Sequence, residues 1–131
     1  KFWPLGGDIM AQVDLSVFAQ SYKIIALIDS DPKSASIRRQ FEALCQSHGI
    51  PCHKLQRYAV ENYFSISALK KVFGSQFPDG VSEINSGKKL VDQIGIDVKK
   101  NNRKIAKAMS FNDIRDTDFE EFLLKVRRML S

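Results

Sequence analysis

The chain has 131 residues, 44% hydrophobic and 27% charged, a composition that fits one folded domain and excludes a disordered, collagen-like or disulfide-dense build. No apolar run nears the ~18 residues of a membrane span, since the longest, Ile24 to Ile28, has five. The net charge is +5, and residues 67–131 carry four of those five excess positive charges. Lys99, Lys100, Arg103, Lys104 and Lys107 form a block without acids. Such a block fits a polyanionic partner, and a solvated helix face explains it about as well. Cys45 and Cys52 are too few for a disulfide framework, so a reducing, cytoplasmic compartment is expected; with only His48 and His53 nearby they do not form a zinc pattern. The start, Lys1-Phe2-Trp3-Pro4, has no apolar leader pattern, and the chain is expected to be a piece of something larger.

In chain order, Phe2 to Leu5 is predicted as a short strand turning at Gly6-Gly7. Asp14 is placed to cap a helix running to Gln20. Lys23 to Ile28 is continuously apolar after its lysine and β-branched, which predicts a central parallel strand covered on both faces. A helix follows over residues 34–48, with Ile37, Phe41, Leu44 and Cys45 facing inward and Gly49 as its stop. A second strand is expected over residues 50–55, and a short helix opened by Ser65 carries Ile66, Leu69 and Val72. Residues 74–87, rich in Gly, Pro, Ser and Asp, read as a loop or boundary. Residues 88–94 and 98–109 are expected to be helical, the latter basic. Thr117 and Glu120 have capping-box spacing before a final amphipathic helix built on Phe119, Phe122, Leu123 and Val126, and Asp116 and Asp118 fit the positive end of its dipole. The fold expectation is an α/β core over residues 1–75 with a helical portion over residues 76–131 packing on it.

Asp29-Ser30-Asp31 directly after the apolar strand is the strongest chemical signal. Ligands of open α/β sheets bind at the carboxyl ends of strands, and Mg²⁺ takes one or two carboxylates plus phosphate oxygens and water. Asp31-Pro32 is equally a good helix start. Glu61 would complete a three-carboxylate site if its segment were a strand beside the first; otherwise it is a surface residue. Lys33 and Arg57 are candidates for a phosphate contact or for pairing with these acids.

Ile25 to Ser34, with Asp29-Ser30-Asp31 at its centre, and Leu55 to Phe64, with Glu61-Asn62-Tyr63, together resemble the TOPRIM domain of the "overcoming lysogenisation defect" (OLD) nucleases. Asn102 to Lys107 and the terminal amphipathic helix are similar to that family's end, so the resemblance covers residues 2–130. It implies a Rossmann-like TOPRIM fold and a metal-dependent DNA endonuclease using Mg²⁺ or Mn²⁺. By the same resemblance, Asp29, Asp31 and Glu61 would bind metal, and Lys104, with Lys107 as the near alternative, would touch the scissile phosphate. Lys33, Arg57, Lys100, Arg103, Lys104 and Lys107 are the expected nucleic-acid contacts. Expected partners are DNA, an ABC-type ATPase domain on the parent chain and a second copy of the chain, with no membrane. The family's first strand, with its Glu, either lies upstream of Lys1 or is lacking in this protein, and Ala59 stands where relatives often carry a further acid. Two other readings stay open: a catalytically incomplete TOPRIM-like module that binds nucleic acid or a partner, and a haloacid-dehalogenase-like phosphatase with Asp29 as nucleophile.

Overall fold

The computed structural model describes residue 1, residues 4–6 and residues 9–131. The expected strand at Phe2-Trp3 and the Gly6-Gly7 turn therefore lie mostly outside the described residues. Two short helices open the described chain, α1 (Ile9–Gln12) and α2 (Ser16–Ser21). Asp14 accepts from the Ser16 N–H at 2.9 Å and so shapes the entry to α2, as its sequence position suggested.

Strand β1 (Ala26–Ile28) is followed by a 3₁₀ turn (Pro32–Ser34), helix α3 (Ala35–Ser47) and strand β2 (Cys52–Lys54). The strands pair in parallel, with Ala26 opposite Cys52, Leu27 opposite His53 and Ile28 opposite Lys54. Parallel pairing forces a crossover connection, and α3 supplies it. The strand is shorter than the apolar run. Among the described residues the sheet has two strands, so β1 is not central: Ile25 and Leu27 are half-buried. Ile24 and Ala26 instead pack against a cluster of Met10, Leu15, Ile28, Phe41, Cys45 and Ile50. Phe41 and Cys45 come from one face of α3, and Arg38 shares that buried face. Gly49 ends the helix at φ 66°, a conformation other residues adopt only with strain.

The rest of the chain is helical: α4 (Ile66–Phe73), α5 (Leu90–Ile94), α6 (Asn102–Ala108) and α7 (Asp118–Leu130). The caps match their sequence signals. The Ser65 hydroxyl accepts from the Ala68 N–H, and the Thr117 hydroxyl accepts from the Glu120 N–H, both at 3.2 Å. Glu120 reaches back to the Asp116 N–H at 2.7 Å, where Asp116 holds φ 61°. The basic segment is split, with a 3₁₀ turn over Lys99–Asn101 before α6.

Helices α4 and α6 pack together around Phe64, Leu69, Phe77, Leu90, Val98 and Ile105. This cluster draws on both sides of the expected boundary at residue 75, and a smaller one of Leu55, Tyr63 and Ile114 joins the helical portion to the strands. The protein is a mixed α/β fold dominated by helix. Among the described residues no helix is long and apolar enough to cross a membrane.

Candidate functional site

The chain leaving β1 is tied to the chain leaving β2. The Ser30 N–H donates to the Tyr58 carbonyl at 3.1 Å, and the Ser30 hydroxyl donates to the Leu55 carbonyl. The Tyr58 N–H in turn donates to the Ser86 carbonyl at 2.7 Å, which draws in the loop before α5. Asn62, fully buried, fixes that loop further: its amide donates to the carbonyls of Asn85 at 3.0 Å and Lys88 at 2.8 Å, while its oxygen accepts from the Ala59 N–H. Gln93 holds the same loop from the α5 side through the Asn85 N–H and the Lys88 and Lys89 carbonyls.

These ties build a cleft of about 220 Å³ at the carboxyl end of β1. Its wall includes Asp29, Asp31, Tyr58, Glu61, Lys89 and Lys99. The three acidic residues singled out in the sequence thus line one cavity, and Asp97 adds a fourth. Glu61 arrives on a 3₁₀ turn (Val60–Tyr63), not on a neighbouring strand. The turn divides its labour: Glu61 lines the half-open cleft, Asn62 forms a buried part of its wall, and Tyr63 is buried behind it.

Electrostatics keep Asp31 charged. The Lys33 N–H donates to its carboxylate at 2.9 Å and is the largest influence holding its pKa below the usual range; the Tyr58 hydroxyl adds a second hydrogen bond. Partial burial, then that bond to Asp31, push the Tyr58 hydroxyl up to about 12, so it stays a donor at neutral pH. Asp29 is handled differently. It forms an ion pair with Nη2 of Arg38 from α3, while Nη1 of Arg38 donates to the Asp31 carbonyl at 3.1 Å. Both contacts of the Asp29 side chain, from Arg38 and from the Asp31 N–H at 3.4 Å, fall on Oδ1.

The oxygen chemistry fits a hard divalent cation. Among the described residues no three His, Cys, Asp or Glu side chains converge tightly enough to cage an ion unaided. Mg²⁺ does not require a cage: it is ordinarily held by one or two carboxylates with substrate phosphate and water. Asp29, Asp31, Glu61 and Asp97 are the carboxylate residues in its lining, one oxygen of Asp29 being paired with Arg38.

The basic residues are arranged differently from the sequence expectation. Lys104, Lys100, Arg103 and Lys107 are exposed on and beside α6, and none of them lines the cleft. Its lysines are Lys89 and Lys99, of which only Lys99 belonged to the basic block, and the Lys99 N–H is fixed by the Asp97 carboxylate at 3.0 Å. Lys33 is exposed. Arg57 points inward, donating to the Asn62 carbonyl at 2.8 Å with its guanidinium 4.6 Å above the Tyr63 ring. It braces the turn that carries Glu61.

Sequence reading placed Asp118 at the start of the last helix but missed its buried docking role. Only 7% exposed, it accepts from the Tyr63 hydroxyl at 2.6 Å and from the Gln56 N–H at 2.9 Å, and its Oδ2 lies 3.2 Å from His53 Nε2. Burial alone would raise its pKa, but these hydrogen bonds outweigh burial and hold the carboxyl below its ordinary range. Asp118 therefore pins the start of α7 to β2 and to the turn behind Glu61. At the amino ends of the strands lies a second, open hollow of about 410 Å³, lined by residues such as Tyr22, Ile24, His48, Ile50, Pro51 and Met129. It is mostly apolar and remote in character from the acidic cleft.

Comparison with protein-family models, with curated proteins and with solved structures gives no significant match.

Proposed function

We propose that this chain is a metal-dependent DNA nuclease domain of TOPRIM-like type, a part of an OLD-like ATPase–nuclease, with its reaction centre in the cleft at the end of β1. The observation that supports the reading is that Asp29, Asp31 and Glu61 line one cleft together with Lys89 and Lys99. A strand-end acidic pair alone suits many chemistries; the same pair with a third carboxylate and two facing lysines suits a phosphodiester. In this reading Asp29, Asp31 and Glu61 hold Mg²⁺ or Mn²⁺. When bound, such an ion polarises phosphorus and lowers the pKa of water. Lys89 and Lys99 neutralise the phosphate and fix its position, the part first expected of Lys104. Tyr58 keeps Asp31 oriented. The exposed cations of α6 offer the DNA backbone a second, sequence-independent contact.

A non-cleaving nucleic-acid-binding module is the second reading, favoured by the Arg38 ion pair that already occupies one oxygen of Asp29. The two separate in one assay. Supercoiled and linear DNA incubated with the protein and Mn²⁺ should be nicked or cut, and Asp31→Asn should lower the rate at least about 100-fold, the loss of several kcal/mol expected when a metal ligand is removed. DNA that is bound by both proteins and cut by neither selects the non-cleaving module.

A further inference from the structure

Arg38 is a charged side chain on the apolar face of α3, seven residues before Cys45 and three before Phe41. It is only 9% exposed, and its Nε–H has no partner among the described residues. A buried guanidinium with an orphaned donor is a poor device for stability, because desolvation of the charge offsets much of its Coulomb gain. Its two satisfied contacts both address the cleft's acidic segment: the Asp29 carboxylate and the Asp31 carbonyl. Arg38 itself does not line the cavity. It stands behind Asp29.

The charge count gives that position a consequence. Four acidic residues, Asp29, Asp31, Glu61 and Asp97, and two lysines contribute to the cleft wall, a formal balance of −2 that Arg38 reduces to −1. One divalent cation converts −1 to +1, which a phosphate then neutralises. A second would have to enter a site already positive, against like-charge repulsion that is strong at partly buried positions.

We propose that Arg38 is a resident counter-cation for Asp29, a positioning residue that restricts the cleft to one divalent ion and weakens its affinity for that ion. The inference rests on the metal-site reading above and adds its stoichiometry and its restraint. With Oδ1 held by Arg38, Asp29 presents Oδ2 in one orientation.

Mn²⁺ titration tests this by calorimetry, with electron paramagnetic resonance counting bound ions, on the wild-type chain, Arg38→Met and Arg38→Lys. Methionine keeps most of the volume while removing the charge. The wild type should bind one Mn²⁺. Arg38→Met should bind it at least about tenfold more tightly, or take up a second ion, equivalent to about 1.4 kcal/mol or more. Arg38→Lys, which retains the charge, should stay near wild type. A merely structural arginine predicts the opposite, since a disordered Asp29 would bind more weakly in Arg38→Met. Unchanged or weaker binding by a folded Arg38→Met, or two ions on the wild type, overturns the proposal and leaves the metal site standing. Should Arg38→Met fail to fold, the wild-type count decides, one ion upholding the proposal and two overturning it. Absence of Mn²⁺ binding in every folded variant removes the metal-site reading and this proposal with it.

Discussion

Replacing Asp118 by alanine should destabilise the protein by about 3 kcal/mol, because it strands the buried Tyr63 hydroxyl, at a cost of about 1–3 kcal/mol, and removes the partly buried bond from the Gln56 N–H, worth about 1 kcal/mol. For a chain of this size that corresponds to a fall in melting temperature of roughly 10 °C. Tyr63→Phe removes one partner and leaves the others, so about 1 kcal/mol is expected there. The pH dependence has a definite sign. The folded pKa of Asp118 lies below the ordinary aspartate value of 3.8, so its contribution is present above that value and lost as pH falls through the folded pKa. For Tyr63, burial and then the bond to Asp118 raise the hydroxyl from 10.0 to about 12; its contribution is complete below pH 10 and lost as pH rises towards 12. Denaturation curves of wild type and Asp118→Ala across pH should therefore converge in acid. A constant gap down to pH 2 would mean that the carboxylate's charge is not what docks α7.

Asn62→Ala should have the next largest effect on stability, about 2–3 kcal/mol, since both of its amide functions are satisfied at a position with no exposure. Its consequence is also functional. Asn62 is the direct link between the turn that carries Glu61 and the loop that carries Lys89, so a folded Asn62→Ala should bind Mn²⁺ and DNA more weakly although Asn62 offers neither ligand a charge. Chemical denaturation gives the first number and titration the second. Destabilisation with both affinities intact would show that the cleft wall is held by other contacts.

The helices were legible because their signals are local. Ser65 and Thr117 sit where caps must sit, Gly49 takes a left-handed conformation that stops α3, and the apolar stripe of α3 faces inward, whereas that of α7 is half-buried and its last residue, Leu130, is exposed. The sheet was less legible. An apolar run such as Ile24 to Ile28 reports burial but not what provides it, and here helices cover much of what a central strand's neighbours would have covered. The site divides in the same way. Asp29 and Asp31 are two residues apart and follow a strand, so their location was readable. Lys89, Asp97 and Tyr58 reach the cleft through the Tyr58–Ser86 and Asn62–Lys88 bonds, which no local spacing encodes.

The two missed polar residues did leave a signal. Arg38 shares a helical face with Phe41 and Cys45, and Asp118 shares one with Phe119 and Phe122. A charge on an apolar face must find a partner or leave the core, and both residues found one. Lys104 misled for the converse reason: a regular basic face is visible in sequence whether or not it approaches the acids, and α6 turns that face to solvent.

The central claim is that a divalent cation binds at the end of β1, and paramagnetic broadening by Mn²⁺ tests it most directly. In amide spectra of the labelled chain, substoichiometric Mn²⁺ should first erase the signals of residues 29–31, 58–61 and 97–99, and Mg²⁺ in excess should restore them. Broadening centred instead on the acidic first turn of α7, at Glu120 and Glu121, or spread evenly over the exposed carboxylates, would contradict the account.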